Sequence, residues 1–145
     1  MTLSLRSLLV ALAAVGAIAC GPKGPQPAVR LYTDDFAIAI SFEPSPPRAL
    51  EPIEFTVVVR DAKTGEPIEG GEGRLFATNE DRKSVDNGLE RGKELGTYHT
   101  KLMFVNAGPW AIGFQFRRDS TQRLQRTNDW MQEVRPELPP GQETK

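Results

Sequence analysis

The sequence predicts an all-β protein, an immunoglobulin-like β-sandwich of about seven strands. Apolar residues recur with period two in four separate segments, the spacing that puts alternate side chains on one face of a strand. Pro combined with Gly, Asn or Ser breaks the chain between those segments, and 13 Gly and 12 Pro among 145 residues leave little room for long helices. No stretch carries a helical period of useful length. The hydrophobic share of 39% and charged share of 26% are those of an ordinary folded protein. With its ends set aside, the chain has the length for one domain of roughly a hundred residues, enough to close a core without metals or disulfides.

In chain order, residues 1–19 read as an export signal. Arg6 supplies the early positive charge, and the uncharged run Leu8-Leu9-Val10-Ala11-Leu12-Ala13-Ala14-Val15-Gly16-Ala17-Ile18 follows. At about eleven residues this run is too short for the roughly twenty of a spanning helix and suits the apolar part of a signal peptide. Ala17-Ile18-Ala19-Cys20-Gly21 resembles the bacterial lipobox, in which small residues precede the cut and the Cys sulfur receives diacylglycerol, although Ala17 stands where Leu is commonest. Cys20 is the chain's sole Cys, so no disulfide partner competes for it. Lipidation of Cys20 is therefore expected, with palmitate-type chains; at about 0.8 kcal/mol per buried CH₂, two chains hold a domain firmly on a membrane. Gly21 rather than Asp follows the Cys, which by resemblance to the sorting rule of Gram-negative lipoproteins implies the outer membrane, facing the periplasm or the surface. Residues 20–28, rich in Gly and Pro and without an apolar face, are expected to be a flexible linker.

The folded part is expected over residues 29–134. Its inward faces are Phe36, Ile38, Ile40 and Phe42; Ile53, Phe55, Val57 and Val59; Tyr98, Thr100, Leu102 and Phe104; and Trp110, Ile112, Phe114 and Phe116. Further strands are expected at residues 29–32, 73–78 and 121–127. Turns fall at Glu43-Pro44-Ser45-Pro46-Pro47, Lys63-Thr64-Gly65-Glu66-Pro67 and Asn106-Ala107-Gly108-Pro109. Gly65 supplies the positive φ of a tight turn, while Tyr98 and Trp110 are amphipathic rings that fill a core and extend a polar tip to its rim. Residues 79–95 read as one long connection. Residues 135–145, again rich in Pro and polar groups, are expected to be a disordered tail.

The strand Ile53-Glu54-Phe55-Thr56-Val57-Val58-Val59-Arg60-Asp61, the turn Lys63-Thr64-Gly65-Glu66-Pro67-Ile68, then Gly96-Thr97-Tyr98 and Ala107-Gly108-Pro109-Trp110 together resemble the YtkA-like family, related to FixH-like domains. The resemblance covers residues 50–118. It implies an extracytoplasmic immunoglobulin-like sandwich, often anchored to a bacterial membrane, and in some members copper handling or oxidase assembly. Such a copper site would need Met and His between the two motifs. Residues 74–87 contain neither.

The candidate chemistry is sparse. His99, the chain's one His, and Met103 lie on the outward face of one strand about 13 Å apart, too far to share an ion, so a metal site would need a fold-back that adds Met131. No GxSxG elbow, calcium-loop pattern or phosphate-binding loop is present; Gly70, Gly71 and Gly73 do not open a helix. Carboxylate catalysis would draw on Glu80, Asp81, Asp86, Glu90 and Glu94, for which solvated loop charge is the simpler reading. No catalytic residue and no cofactor are assigned. A net charge of -1 provides no general field for nucleic acid. Arg117, Arg118, Arg123 and Arg126 bracket Asp119-Ser120, and a hairpin there would carry a local positive patch. The expectation is a membrane-anchored, non-enzymatic binding or accessory module with a protein partner in the envelope.

Overall fold

The computed structural model describes residues 28–142. The expected signal, Cys20 and nearly all of the linker lie outside the described residues.

The described chain forms strands β1 (Val29–Tyr32), β2 (Phe36–Glu43), β3 (Pro52–Asp61), β4 (Glu72–Asn79), β5 (Ser84–Gly88), β6 (Glu90–Arg91), β7 (Thr97–Met103), β8 (Gly108–Arg117), β9 (Gln125–Arg126) and β10 (Trp130–Val134). One sheet has the order β1-β2-β3-β7-β6; the other runs β10-β8-β4-β5, with β9 also paired to β8. Every strand pairing is antiparallel. The all-β sandwich is therefore the observed class. It has ten strands where about seven were expected.

The period-two sets point inward as predicted. Ile40, Ile53, Val57, Val59, Phe104, Trp110, Ile112, Phe114 and Phe116 are fully buried, with Leu75 and Ala77 of β4 beside them. Phe42, at the end of its strand, is only partly covered. Aromatic rings join the layers: Phe36 meets Phe116 edge-on at 5.0 Å, and Tyr98 meets the same ring at 5.4 Å. The two amphipathic rings also behave as expected. Tyr98 donates from its hydroxyl to the Ile68 carbonyl (2.6 Å) and accepts from the Gly71 amide (3.1 Å), while Trp110 Nε1 donates to the Asn106 carbonyl (3.1 Å). Burial pushes the Tyr98 phenol above its ordinary pKa.

Of the added strands, β5 and β6 are short and polar and β10 is a half-exposed edge, which hides them from periodicity. The expected long connection instead holds β5 and β6; of β5, only Val85 packs against the core, and Asn87 Nδ2 donates to the Lys101 carbonyl of β7 (3.1 Å). Within residues 121–127 only β9 is extended, because Asp119 accepts from the Thr121 amide (2.8 Å) and winds the preceding segment into a turn. Pairing also continues past residue 134. The Arg135 amide donates to the Pro47 carbonyl (2.9 Å), its carbonyl accepts from Ala49 (2.9 Å), and Arg48 reaches the Pro136 carbonyl (3.1 Å). The start of the expected tail is thus tied to the β2–β3 connection.

Register defines two ends. At one lie Glu43 opposite Glu54, Pro52 opposite Met103, and Gly108 opposite Val134; at the other, Phe36 opposite Asp61 and Glu72 opposite Arg117. Val29 pairs with Ile40 and Tyr32 with Ala37, so the chain enters at the first end, called proximal below. The other end is distal.

Candidate functional site

The predicted arginines gather at the distal end, but most of their charge is compensated. Arg117 Nε donates to Glu72 Oε1 (2.6 Å), its register partner on β4. Arg118 pairs with Asp61 and lies over the Phe36 ring at 5.6 Å. Arg126 binds Asp129 (3.1 Å) and covers Phe76 at 4.7 Å. Arg123 makes no ion pair among the described residues. The expected positive patch is therefore reduced to one unpaired guanidinium. It rims a shallow groove of about 460 Å³ with Tyr32, Asp34 and Leu124. Tyr32 and Leu124 are both exposed large apolar groups, one at the end of β1 and the other just before β9, in segments too short to carry a periodic signal.

The same end carries a clamp between the sheets. Asp61 ends β3 and accepts from the Lys63 and Thr64 amides (2.8 and 2.9 Å) while pairing with Arg118, which follows β8. Gly65, at φ 74°, closes that turn as the sequence predicts. Beside it, Gln125 of β9 exchanges hydrogen bonds with Asp35 in the β1–β2 turn. The two amides, followed by the Arg118 guanidinium, hold the Asp61 carboxyl below its ordinary value. A carboxylate lowered in the folded state stabilises it above the unfolded pKa, and that contribution is lost as pH falls through the folded value. Asp61→Asn is expected to flatten the loss of stability below about pH 4, near the reference Asp pKa, as read from urea midpoints at pH 7 and pH 3. Parallel acid profiles for the two proteins would contradict this role.

His99 and Met103 stand where predicted, on the solvent face of β7, opposite Thr56 and Pro52. The structure does not bring them together. His99 Nδ1 lies 3.4 Å from Thr56 Oγ1, and its Nε2 sits against Gly92, where a Cβ would approach to 2.8 Å. Met131 is exposed on β10 of the other sheet, so the fold-back does not occur. Among the described residues no group of three or more His, Cys, Asp or Glu side chains is placed to hold a metal ion. The five carboxylates are dispersed as well. Asp81 bonds Asn106 (3.1 Å) at the proximal end, Asp86 on β5 pairs with Arg74 (3.5 Å), Glu90 lies on β6, and Glu94 is in the distal β6–β7 turn. The surrounding charges also pair locally: Glu54 and Lys101 meet at 2.8 Å, which lowers the carboxyl and raises the ammonium.

The proximal end has a feature that the sequence did not flag. Leu50, Met103 and Val105 are 52%, 51% and 46% exposed. The Leu50 amide donates to the Phe104 carbonyl (2.8 Å), placing Leu50 beside both neighbours of Phe104. Their signal was parity, because Met103 and Val105 are apolar at positions where the period-two pattern of Leu102 and Phe104 faces solvent.

Fold and surface together define an antiparallel β-sandwich with a dry interior and polar groups on its outer strand faces and at both ends. No family model matches the chain, and no curated protein matches it. The YtkA-like resemblance therefore stands on its motifs and is not confirmed. Among solved structures, the chain is similar to a copper-bound variant of FetP from a uropathogenic Escherichia coli strain, with a TM-score of 0.52 at 8% identity over 81% of this chain and 96% of that one. A second FetP structure from uropathogenic Escherichia coli gives 0.45 at 11% identity over 76% and 96%. At such identity the first of these shows a shared β fold.

Proposed function

We propose that the chain is a lipid-anchored, non-enzymatic module of the bacterial cell envelope that acts by binding a protein partner. The observation that carries this reading is the segment Ala17-Ile18-Ala19-Cys20-Gly21, set between an apolar run and a Gly/Pro-rich stretch that leads straight to β1. The motifs shared with the YtkA-like family support the same extracytoplasmic address, and Gly21 favours the outer membrane. Residues 20–28 act as the tether and residues 29–134 as the working body. The proposed partner surface is the distal groove with Tyr32, Arg123 and Leu124, since this end is opposite the one at which the chain enters the fold. Intact-mass measurement of the mature protein is expected to show a chain beginning at Cys20 and carrying diacylglycerol with or without a third acyl chain. An unmodified thiol, or an intact Met1, would refute the anchor.

Copper handling is a second reading, favoured by the fold shared with a copper-bound FetP variant. It requires donors that converge, and His99 and Met103 diverge along β7. Titration of the purified protein with Cu(I) decides it. One equivalent taken up by the native chain and lost in His99→Ala would establish the reading; no uptake would end it.

A further inference from the structure

We infer that the proximal corner formed by Leu50, Met103 and Val105 rests in the head-group layer of the membrane that holds the protein, so that the sandwich stands on the bilayer with its distal groove turned outward. This rests on the lipid anchor proposed at Cys20.

Several independent observations converge on that corner. The chain enters the fold there, since Ala28 lines the same depression as Phe42, Glu43 and Glu54, and Val29 is paired to Ile40. From Cys20 to Val29 even a fully extended chain spans at most about 32 Å, about the length of a ten-residue strand, so the lipid is leashed to the domain from this end. Three large apolar side chains are exposed within it: Leu50 and Val105 on adjoining turns, and Met103 at the last register position of β7. Apolar groups at turn tips can enter an interface without stripping backbone partners from a ladder, because they project beyond the last paired residues.

The backbone adds a further indication. Leu50 is held at φ 62°, a left-handed conformation that a branched, bulky residue rarely adopts. Gly would relieve that strain, and a polar residue would suit the solvent. The strain is fixed in place by the Leu50 amide bond to Phe104 and by the Ala49 bond to Arg135, which together aim the side chain outward. Leu50 also borders a depression lined by Leu138, Pro139 and Pro140, so apolar surface continues from it. A lipid surface stabilises such an arrangement, because each apolar group removed from water contributes in proportion to its area.

Charge at the corner suits a head-group layer containing both signs. Arg48 and Arg135 are bridged to each other, Glu43 stands opposite Glu54, and Lys101 is paired to Glu54 (2.8 Å). Of the other exposed large apolar groups, Met131 stands on β10, whereas Tyr32, Leu95 and Leu124 lie at the distal end and serve as an internal control.

Acylated Cys20 leaves no free thiol in the chain, so a single introduced Cys can carry a fluorophore. Leu50→Cys, Val105→Cys and Leu124→Cys proteins, purified with their anchors, are labelled and reconstituted into phosphatidylethanolamine and phosphatidylglycerol vesicles with plain or brominated acyl chains. Fluorescence at positions 50 and 105 is expected to fall at least about two-fold in brominated vesicles, with position 124 unchanged. Val105→Cys guards against a folding defect from altering the strained Leu50. Equal signals at all three positions, or quenching confined to position 124, overturn the inference. Intact mass of the same samples separates the two claims: acylated protein without quenching refutes only the seating, whereas unacylated protein refutes the anchor and the seating with it.

Discussion

Replacing Trp110 by Ala is expected to lower the free energy of unfolding by roughly 3–5 kcal/mol, the range for removing a buried aromatic ring. Trp110 is fully buried on β8, the strand that joins β4 and β10, and its ring lies 5.1 Å from that of Phe104. The substitution opens a cavity and also strands a hydrogen bond. Asn106 loses the indole N–H from its carbonyl, while its side chain remains bonded to Asn79 (2.9 Å) and Asp81 (3.1 Å). Cavity and lost polar partner act on one turn, so their effects reinforce each other. Against a total stability of about 5–15 kcal/mol, the variant loses roughly a fifth or more of its margin. Trp130→Phe is the control. Its indole N–H is buried without a partner, so removing that nitrogen costs little, and its urea midpoint is expected to stay near that of the parent. If both substitutions shift the midpoint equally, Trp110 has no special place in the core.

That contrast also shows what the sequence could and could not disclose. Trp110 was legible as core because it opens an alternation with Ile112, Phe114 and Phe116, and because Tyr98 opens another; both lie in strands with one dry face. Trp130 belongs to β10, an edge strand in which Met131 and Glu133 face solvent and only Val134 is fully buried. Alternation fades where even the inner face is only partly buried, so β10 and the polar strand β5 gave no periodic signal. The arginines were legible as a cluster, since proximity along a hairpin is written in the sequence. Their neutralisation was not, because Glu72 and Asp61 arrive from distant parts of the chain through β4 and β3. His99 and Met103 were placed correctly by parity alone, for two residues four apart on one straight strand share a face but not a site. The exposed corner at Leu50 was legible only in part. Parity marks Met103 and Val105, whereas a left-handed Leu leaves no trace in composition or period.

Gly73→Ala tests a role that the Gly-rich segment concealed. The strand expected at residues 73–78 is β4, and Gly73 lies within it opposite Phe116, where β4 and β8 form the middle of the second sheet; the sequence did not show why a Gly stands there. A Cβ at Gly73 would lie 2.1 Å from the Gln115 carbonyl oxygen and 3.1 Å from the Phe116 Cα. Both are backbone atoms, so no rotamer change relieves the overlap. Relief requires β4 to move away from β8, which would loosen Leu75 against Phe114 and disturb the bond from the Leu89 amide to the Gly73 carbonyl (3.0 Å). The expected loss is about 3 kcal/mol, the upper part of the overpacking range. At roughly 4–8 °C per kcal/mol for a domain of this size, the thermal midpoint should fall by some 12–24 °C. Gly88→Ala is the matched comparison, because Gly88 lies on the neighbouring strand with its nearest atom 4.0 Å away. It should melt within a few degrees of the parent, as ordinary surface changes do. Coincident melting of the two variants would mean that the close approach of β4 to β8 does not depend on the missing side chain.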